Sequence, residues 1–206
     1  MKVLLINGSP HVHGCTDRAL REVADALQGD GVETELFWIG NKPVGGCVAC
    51  GGCGKLGKCA FDDVVNTCAE KLDGADAFVF GSPVHYAAAS GNMTGFLDRL
   101  FYSAGRKMKG KPAAVVVSAR RGGTTATYEQ LLKYPGICQM PIISSCYWNM
   151  VHGSCAEDVE QDEEGLRTMR VLGHNMAYFL KCLEAGKMAG VPLPPEEPPA
   201  RTNFIR

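Results

Sequence analysis

The chain has 206 residues, 21 basic against 22 acidic side chains, 46% hydrophobic residues and ten cysteines. That length buries the core of a single open α/β domain rather than two, and the balanced charge offers no electrostatic footprint for nucleic acid or an anionic membrane surface. No apolar run approaches the ~20 residues of a membrane helix, and Met1 opens into a strand pattern rather than a charged-then-apolar leader, so a cytoplasmic protein is expected. In such a chain, ten cysteines point to metal, redox chemistry or buried thiols rather than disulfides.

Lys2-Val3-Leu4-Leu5-Ile6 is a run of mostly branched apolar residues closed by Asn7-Gly8-Ser9-Pro10, the pattern of a central parallel strand ending in a turn. Gly8, Ser9, Gly14 and Thr16 then supply small residues and hydroxyls ahead of a helix predicted from Asp17 to Leu27, apolar at Ala19, Leu20, Val23 and Leu27. Free amides and hydroxyls at a helix N-terminus suit an anion, a phosphate above all. A plain capped turn uses the same residues, and the spacing is neither a Walker loop nor a dinucleotide fingerprint.

Gly8-Ser9-Pro10-His11-Val12-His13-Gly14-Cys15-Thr16 resembles the GSPRxxGNT loop of the flavodoxin-like NAD(P)H-dependent FMN reductase family, where that loop holds the FMN phosphate. The resemblance implies Ser9 and Thr16 as phosphate ligands, with His11 in the usual Arg place and Cys15 in the usual Asn place.

Val32 to Ile39 is the second predicted strand, partly alternating and so placed toward a sheet edge. It leads to Cys47, Cys50, Cys53 and Cys59, spaced C-x2-C-x2-C-x5-C and separated by glycines that let the backbone curl. Such a run can hold an iron–sulfur centre, a structural zinc or nothing. The spacing is close to the compact motif of the iron–sulfur flavoproteins, a branch of the same group, and that resemblance implies the four cysteines as ligands of a [4Fe–4S] cluster beside FMN. Asp62 or Asp63 caps a helix predicted over Val64 to Leu72, with Cys68 on its apolar face as a core thiol.

Ala75 to Phe80 is the third predicted strand, followed by Gly81-Ser82-Pro83-Val84-His85-Tyr86 and a helix apolar at Met93, Phe96, Leu97 and Leu100. Ligands in open α/β sheets sit at the carboxyl ends of strands, where this junction falls. From composition alone His85 and Tyr86 read as a half-buried loop pair. The segment resembles the SPVYxxxxSGxMKxFLDR pattern of the same family, which implies that Pro83, Val84, His85 and Tyr86 line the isoalloxazine and that Ser90 and Met93 shape the turn. Asp98 and Arg99 read as structural ion-pair formers.

Lys111 to Ala119 is the fourth predicted strand, apolar throughout and central. Arg120, Arg121, Gly122 and Gly123 follow it, suited to a flavin's pyrimidine edge, to the phosphates of a nicotinamide nucleotide, or to acidic groups across an interface. The family resemblance places a flavin contact in this loop. Tyr128 starts a further helix, Met140 to Ser145 is the fifth predicted strand, and Tyr147 to Gly153 forms either a substrate-pocket wall or a packed loop. A long amphipathic helix is predicted over Glu163 to Leu183, and Val191 to Pro199 forms an extended tail suited to wrapping a partner subunit.

These elements predict an α/β fold: a flavodoxin-like, doubly wound, five-stranded parallel sheet of order 2-1-3-4-5 with helices on both faces. One domain is expected over residues 1–185, with a cysteine-rich insertion at 45–60 and a Pro-rich tail at 186–206. The resemblance implies an FMN-dependent NAD(P)H oxidoreductase passing electrons to a small acceptor such as a quinone, flavin, azo or nitro compound, as a homodimer or homotetramer. Its alternative is an electron carrier exchanging electrons with ferredoxin through a [4Fe–4S] cluster and FMN. A redox sensor or FMN store without turnover is a third. No side chain need act as a catalytic acid, because the flavin carries the chemistry.

Overall fold

The computed structural model describes residues 1–198, 200 and 202. Five parallel strands form the sheet: β1 (Lys2–Asn7), β2 (Glu33–Trp38), β3 (Ala77–His85), β5 (Ala113–Ala119) and β6 (Met150–His152). They lie in the order β2-β1-β3-β5-β6, and the two-residue β4 (Ala88–Ala89) folds back antiparallel on the end of β3. Without β4, this is the expected 2-1-3-4-5 order.

Alternation along the strands sends successive side chains to opposite faces. Leu4 and Ile6 of β1 join Phe78, Phe80, Val115 and Val117 in one core. That core is covered by α3 (Val64–Ala69), α4 (Gly91–Ala104) and α5 (Thr124–Ile137), which contribute residues such as Val65, Phe96, Leu100 and Leu131. Val3 and Leu5 join Val79 and Val116 in the second core, under α1 (Cys15–Gly29) and α7 (Glu163–Met188), with Leu20, Val23, Met169 and Leu172. Each such side chain contributes about 1.5–3 kcal/mol on burial, so both faces are needed to hold the central strands. Two short helices, α2 (Cys53–Leu56) and α6 (Ala156–Val159), complete the set. Among the described residues, no helix is long and apolar enough to cross a membrane.

The fifth strand is displaced from its expected place. Met140 to Ser145 contributes only a single bridge, Ile142 to Ala113, because Pro141 carries no N–H and the chain then leaves the sheet. Ser145 Oγ lies 2.7 Å from both Tyr147 O and Asn149 Oδ1, sharing its one proton between them, and this closes a loop that returns Met150 alongside Val117. The last strand is therefore inside the stretch expected to be a wall or loop. β3 also runs five residues past Phe80, to His85, and α7 runs past Leu183 to Met188. Residues 191–198 form neither helix nor strand; of the tail expected at 186–206, positions 199, 201 and 203–206 lie outside the described residues.

Gly173 of α7 lies where a Cβ would stand 2.8 Å from the Val23 carbonyl oxygen and 2.6 Å from Ala26 Cβ of α1. Gly173→Val should destabilise the chain by about 1–3 kcal/mol, as overpacking of close helices does; a urea midpoint equal to that of the wild type would show that the two helices separate without cost.

Candidate functional site

A cavity of about 780 Å³ opens at the carboxyl ends of the strands. Its wall includes Ser9, His11, Cys15 and Thr16 from the loop after β1 and the start of α1, Pro83 and Val84 from the end of β3, and Arg120 after β5. Three loops far apart in the sequence thus meet because parallel strands all end on the same side.

The loop from Gly8 to Gly14 is held by donors that occupy four of its carbonyls. Trp38 Nε1, at the end of β2, donates to Ser9 O at 2.7 Å, and Ser90 Oγ donates to Gly8 O at 3.0 Å. Gly14 N donates to His11 O at 3.2 Å and Arg18 N to Gly14 O at 3.0 Å. With these four carbonyls taken, amides are left for a ligand at the first turn of α1: Cys15, Thr16 and Asp17 have no intrahelical carbonyl to bond, and the Gly14 cap supplies no side chain. The helix dipole adds positive potential there. Asp17 would oppose an anion, but its carboxylate is paired with Arg21 Nε at 2.7 Å.

Hydroxyls and thiols tie this turn to the neighbouring strands. Thr16 Oγ1 and Ser118 Oγ, at the end of β5, are 2.8 Å apart, so one of them keeps a proton to donate elsewhere. Ser9 Oγ accepts from His11 N at 3.1 Å and keeps its own proton. Burial pushes the Cys15 thiol up, and it donates to Gly153 O at 3.4 Å, fastening α1 to the segment after β6. At the root of the loop, Asn7 is 1% exposed and its Nδ2 has no partner among the described residues, an unmet donor. Unpaired donors, an anion-favouring helix end and an apolar stretch at Pro83 and Val84 fit a flat nucleotide with a terminal phosphate.

The remaining expected contacts lie elsewhere. His85 and Tyr86 are exposed, and Tyr86 (φ 51°) with Ala87 (φ 60°) makes the tight turn between β3 and β4, directing Tyr86 into solvent. Ser90 is buried beneath the loop as the cap of α4, accepting from Met93 N at 3.3 Å. Arg121 and Gly122 are exposed, and neither they nor Gly123 borders the cavity. At Gly123, φ is +91° and a Cβ would stand 2.6 Å from Ala87 Cα, so this glycine serves close packing of the β3–β4 turn. Of the stretch expected as a wall or loop, Gly153 borders the cavity; sequence reasoning missed Trp38, Asn41, Ser118 and Ser154 to Glu157, all on the wall. Ser118 alone carried a signal, as the one hydroxyl in an otherwise apolar central strand.

Cys47, Cys50, Cys53 and Cys59 line a second, smaller cavity of about 160 Å³, with Phe61, Arg99 and Tyr102. Among the described residues no three Cys, His, Asp or Glu groups stand ready to hold a single metal ion. A cluster asks for less convergence, since each thiolate meets a different iron; four thiols around one cavity fit that donor set.

The cysteine segment is fastened to helices on either side. Asn92 Nδ2 donates to Lys42 O at 3.0 Å while its Oδ1 accepts from Val44 N at 3.1 Å. Asn66 Oδ1 accepts from Cys59 N at 3.0 Å, and its Nδ2 donates to Cys59 O at 3.0 Å and Phe61 O at 3.2 Å. Cys68 is separate: burial pushes its thiol up to about 12 from the ordinary 9.0.

The model of the family described as NADPH-dependent FMN reductase matches residues 1–154. An iron–sulfur flavoprotein of Methanocaldococcus jannaschii is 30% identical over 194 residues, covering 89% of this chain and 100% of that one. Among solved structures, the NAD(P)H:quinone oxidoreductase of Methanothermobacter marburgensis superposes with a TM-score of 0.65 at 16% identity, covering 85% of this chain and 96% of that one. A WrbA-like flavodoxin from Agrobacterium tumefaciens gives a TM-score of 0.62 at 19% identity over 88% of this chain and 98% of that one. These two superpositions establish the flavodoxin-like fold.

Asn66→Ala strips the Cys59 and Phe61 backbone groups of their partners. It is expected to cost about 1–3 kcal/mol and to speed tryptic cleavage at Lys55 and Lys58; an unchanged digestion pattern would show that Asn66 is not what holds the segment. Cys68 should resist alkylation in the native chain at pH 8 while the exposed Cys146 and Cys182 react. Because its folded value is raised, the stability it contributes is complete below about pH 9 and is lost as pH rises toward 12; Cys68→Ala should flatten that alkaline part of the stability profile.

Proposed function

The chain belongs to the NADPH-dependent FMN reductase family and its iron–sulfur flavoprotein branch, and from that premise we propose that the larger cavity binds FMN and serves electron transfer from NAD(P)H to a small acceptor such as a quinone, a free flavin, or an azo or nitro compound. The general activity, that of an NAD(P)H-dependent flavin oxidoreductase with FMN as cofactor, follows from the family. The observation that carries the site assignment is the loop whose Gly8, Ser9, His11 and Gly14 carbonyls are occupied and whose helix-end amides are left free.

FMN, when bound, supplies the hydride and electron chemistry. The protein's part is to hold it. The first-turn amides of α1 with the Ser9 and Thr16 hydroxyls would take the phosphate, and His11 and Cys15 lie on the same wall. Pro83 and Val84 offer an apolar face to the ring system, and Arg120 brings a cation to the rim for the flavin's polar edge or for a nicotinamide nucleotide. Arg121, Gly122, Gly123, His85, Tyr86 and Ser90 act in this reading by shaping and supporting the loops. No side chain is needed as a proton donor.

A second reading is favoured by the four thiols that share one cavity: Cys47, Cys50, Cys53 and Cys59 hold a [4Fe–4S] cluster, and the chain also passes electrons singly, with a ferredoxin as partner. The cluster, when bound, supplies one-electron transfer. All ten cysteines are unpaired, which suits the reducing cytoplasm proposed for it. A homo-oligomer belongs to the same proposal, supported by exposed Tyr147 and Trp148 beside the edge strand β6.

Anaerobically purified chain should be yellow, and NADPH should bleach it. Ser9→Ala and Thr16→Val should each weaken FMN binding about 10- to 100-fold, the worth of a charge-assisted hydrogen bond, while riboflavin affinity changes little. Equal losses for FMN and riboflavin would move the phosphate away from this loop. Iron and acid-labile sulfide assays decide the second reading: four irons per chain support it, and none removes it.

A further inference from the structure

Arg99 stands on α4 and is 3% exposed, yet its donors all leave that helix, for the cysteine segment and for Asp63 just beyond it. Nε donates to Cys59 Sγ at 3.2 Å. Nη1 donates to Asp63 Oδ2 at 2.7 Å and to Gly45 O at 3.4 Å; Nη2 donates to Asp63 Oδ1 at 2.8 Å and to Phe61 O at 3.0 Å. The guanidinium also lies over the Phe61 ring, 5.1 Å from its centroid. Gly45 and Phe61 flank the four cysteines, one before Cys47 and one after Cys59, so a single planar group closes both ends of the segment. An Arg–Asp pair alone would need only the two Nη groups. The remaining donor, Nε, is spent on sulfur.

The helix beneath can hold this geometry. Phe96, Leu97 and Leu100 of the same helix are buried in the core. At Gly95 a Cβ would stand 2.9 Å from Val44 O, so the absence of a side chain lets the segment cross α4 closely enough for Arg99 to reach both sides.

Resting on the reading of the four cysteines as cluster ligands, we propose that Arg99 is the positioning residue of that site: it holds Cys59 inward and sets the electron affinity of the iron–sulfur group, with Asp63 balancing its charge. A hydrogen bond donated to a ligand sulfur withdraws negative charge from it, and a nearby cation favours the more negative, reduced form. The two residues therefore pull in opposite directions. Loss of Arg99 removes a donor and a positive charge, which disfavours reduction. Loss of the Asp63 charge leaves the guanidinium uncompensated, which favours it.

The test uses the full chain, reconstituted without oxygen with iron and sulfide, and follows iron per chain, the midpoint potential by EPR-monitored titration, and FMN content as the measure of folding. Arg99→Gln should keep FMN, retain less iron after desalting and shift the midpoint to more negative values. Asp63→Asn keeps a side chain able to accept from Val65 N at the start of α3 and should shift the midpoint to more positive values. Arg99→Lys keeps the charge without the fork and should fall between Arg99→Gln and the wild type; it carries the comparison if Arg99→Gln also loses FMN. Identical iron content and potential across the series, or shifts of the same sign for Arg99→Gln and Asp63→Asn, overturn the assignment and leave the cluster reading standing. Wild-type chain that takes up no iron overturns both.

Discussion

The constraint on which the rest depends is the occupation of four carbonyls of the loop after β1, two by donors from distant parts of the chain and two by amides of the loop itself and of α1. A short turn between a strand and a helix, left to itself, can bond its own amides inward and present oxygens outward, which would repel a phosphate. Here Trp38 from β2, Ser90 from the start of α4, and the N–H groups of Gly14 and Arg18 take the oxygens of Ser9, Gly8, His11 and Gly14. The turn is thereby fixed with its unbonded donors at the end of α1, where backbone partial charge is already positive. Net hydrogen-bond energies of about 1 kcal/mol each are small, but they act together on one short segment and decide its orientation.

One helix connects the two cavities. Ser90 caps α4 and supports the loop at Gly8; farther along, Asn92, Gly95 and Arg99, spaced three and then four residues apart, form the stripe against which the cysteine segment lies. Because α4 is packed by Phe96, Leu97 and Leu100 into a sheet-covering core, both sites are referenced to the same rigid body. A shift of α4 would disturb both. The cysteine segment has little regular structure of its own beyond the four-residue α2, so its shape is imposed by Asn66, Asn92 and Arg99 rather than by local propensity.

Much of this was legible in the amino-acid order. Branched apolar runs locate β1 and β5, small residues before a periodic segment locate the turn and α1, and the cysteine spacing marks the second cavity. Two departures from the sequence pattern share a cause. The apolar run at Met140 reads as a strand because composition does not reveal that Pro141 and the Ser145 bonds turn the chain away before Met150 enters the sheet. The family resemblance implies Tyr86 at the cavity, whereas two left-handed residues make it the tip of a hairpin.

What the sequence by itself determined is the periodicity of its elements and the chemistry of its turns: alternation writes two faces onto each strand, and hydroxyls, glycines and thiols at given spacings limit what a loop can bind. Which of those side chains share a cavity, and which support it from behind, was decided only by tertiary structure. Trp38, Ser118 and Arg99 show why. Each acts on a residue at least 29 positions away in the chain, Ser9, Thr16 and Cys59 in turn, and such pairings arise from strand order and helix docking, which no local pattern encodes.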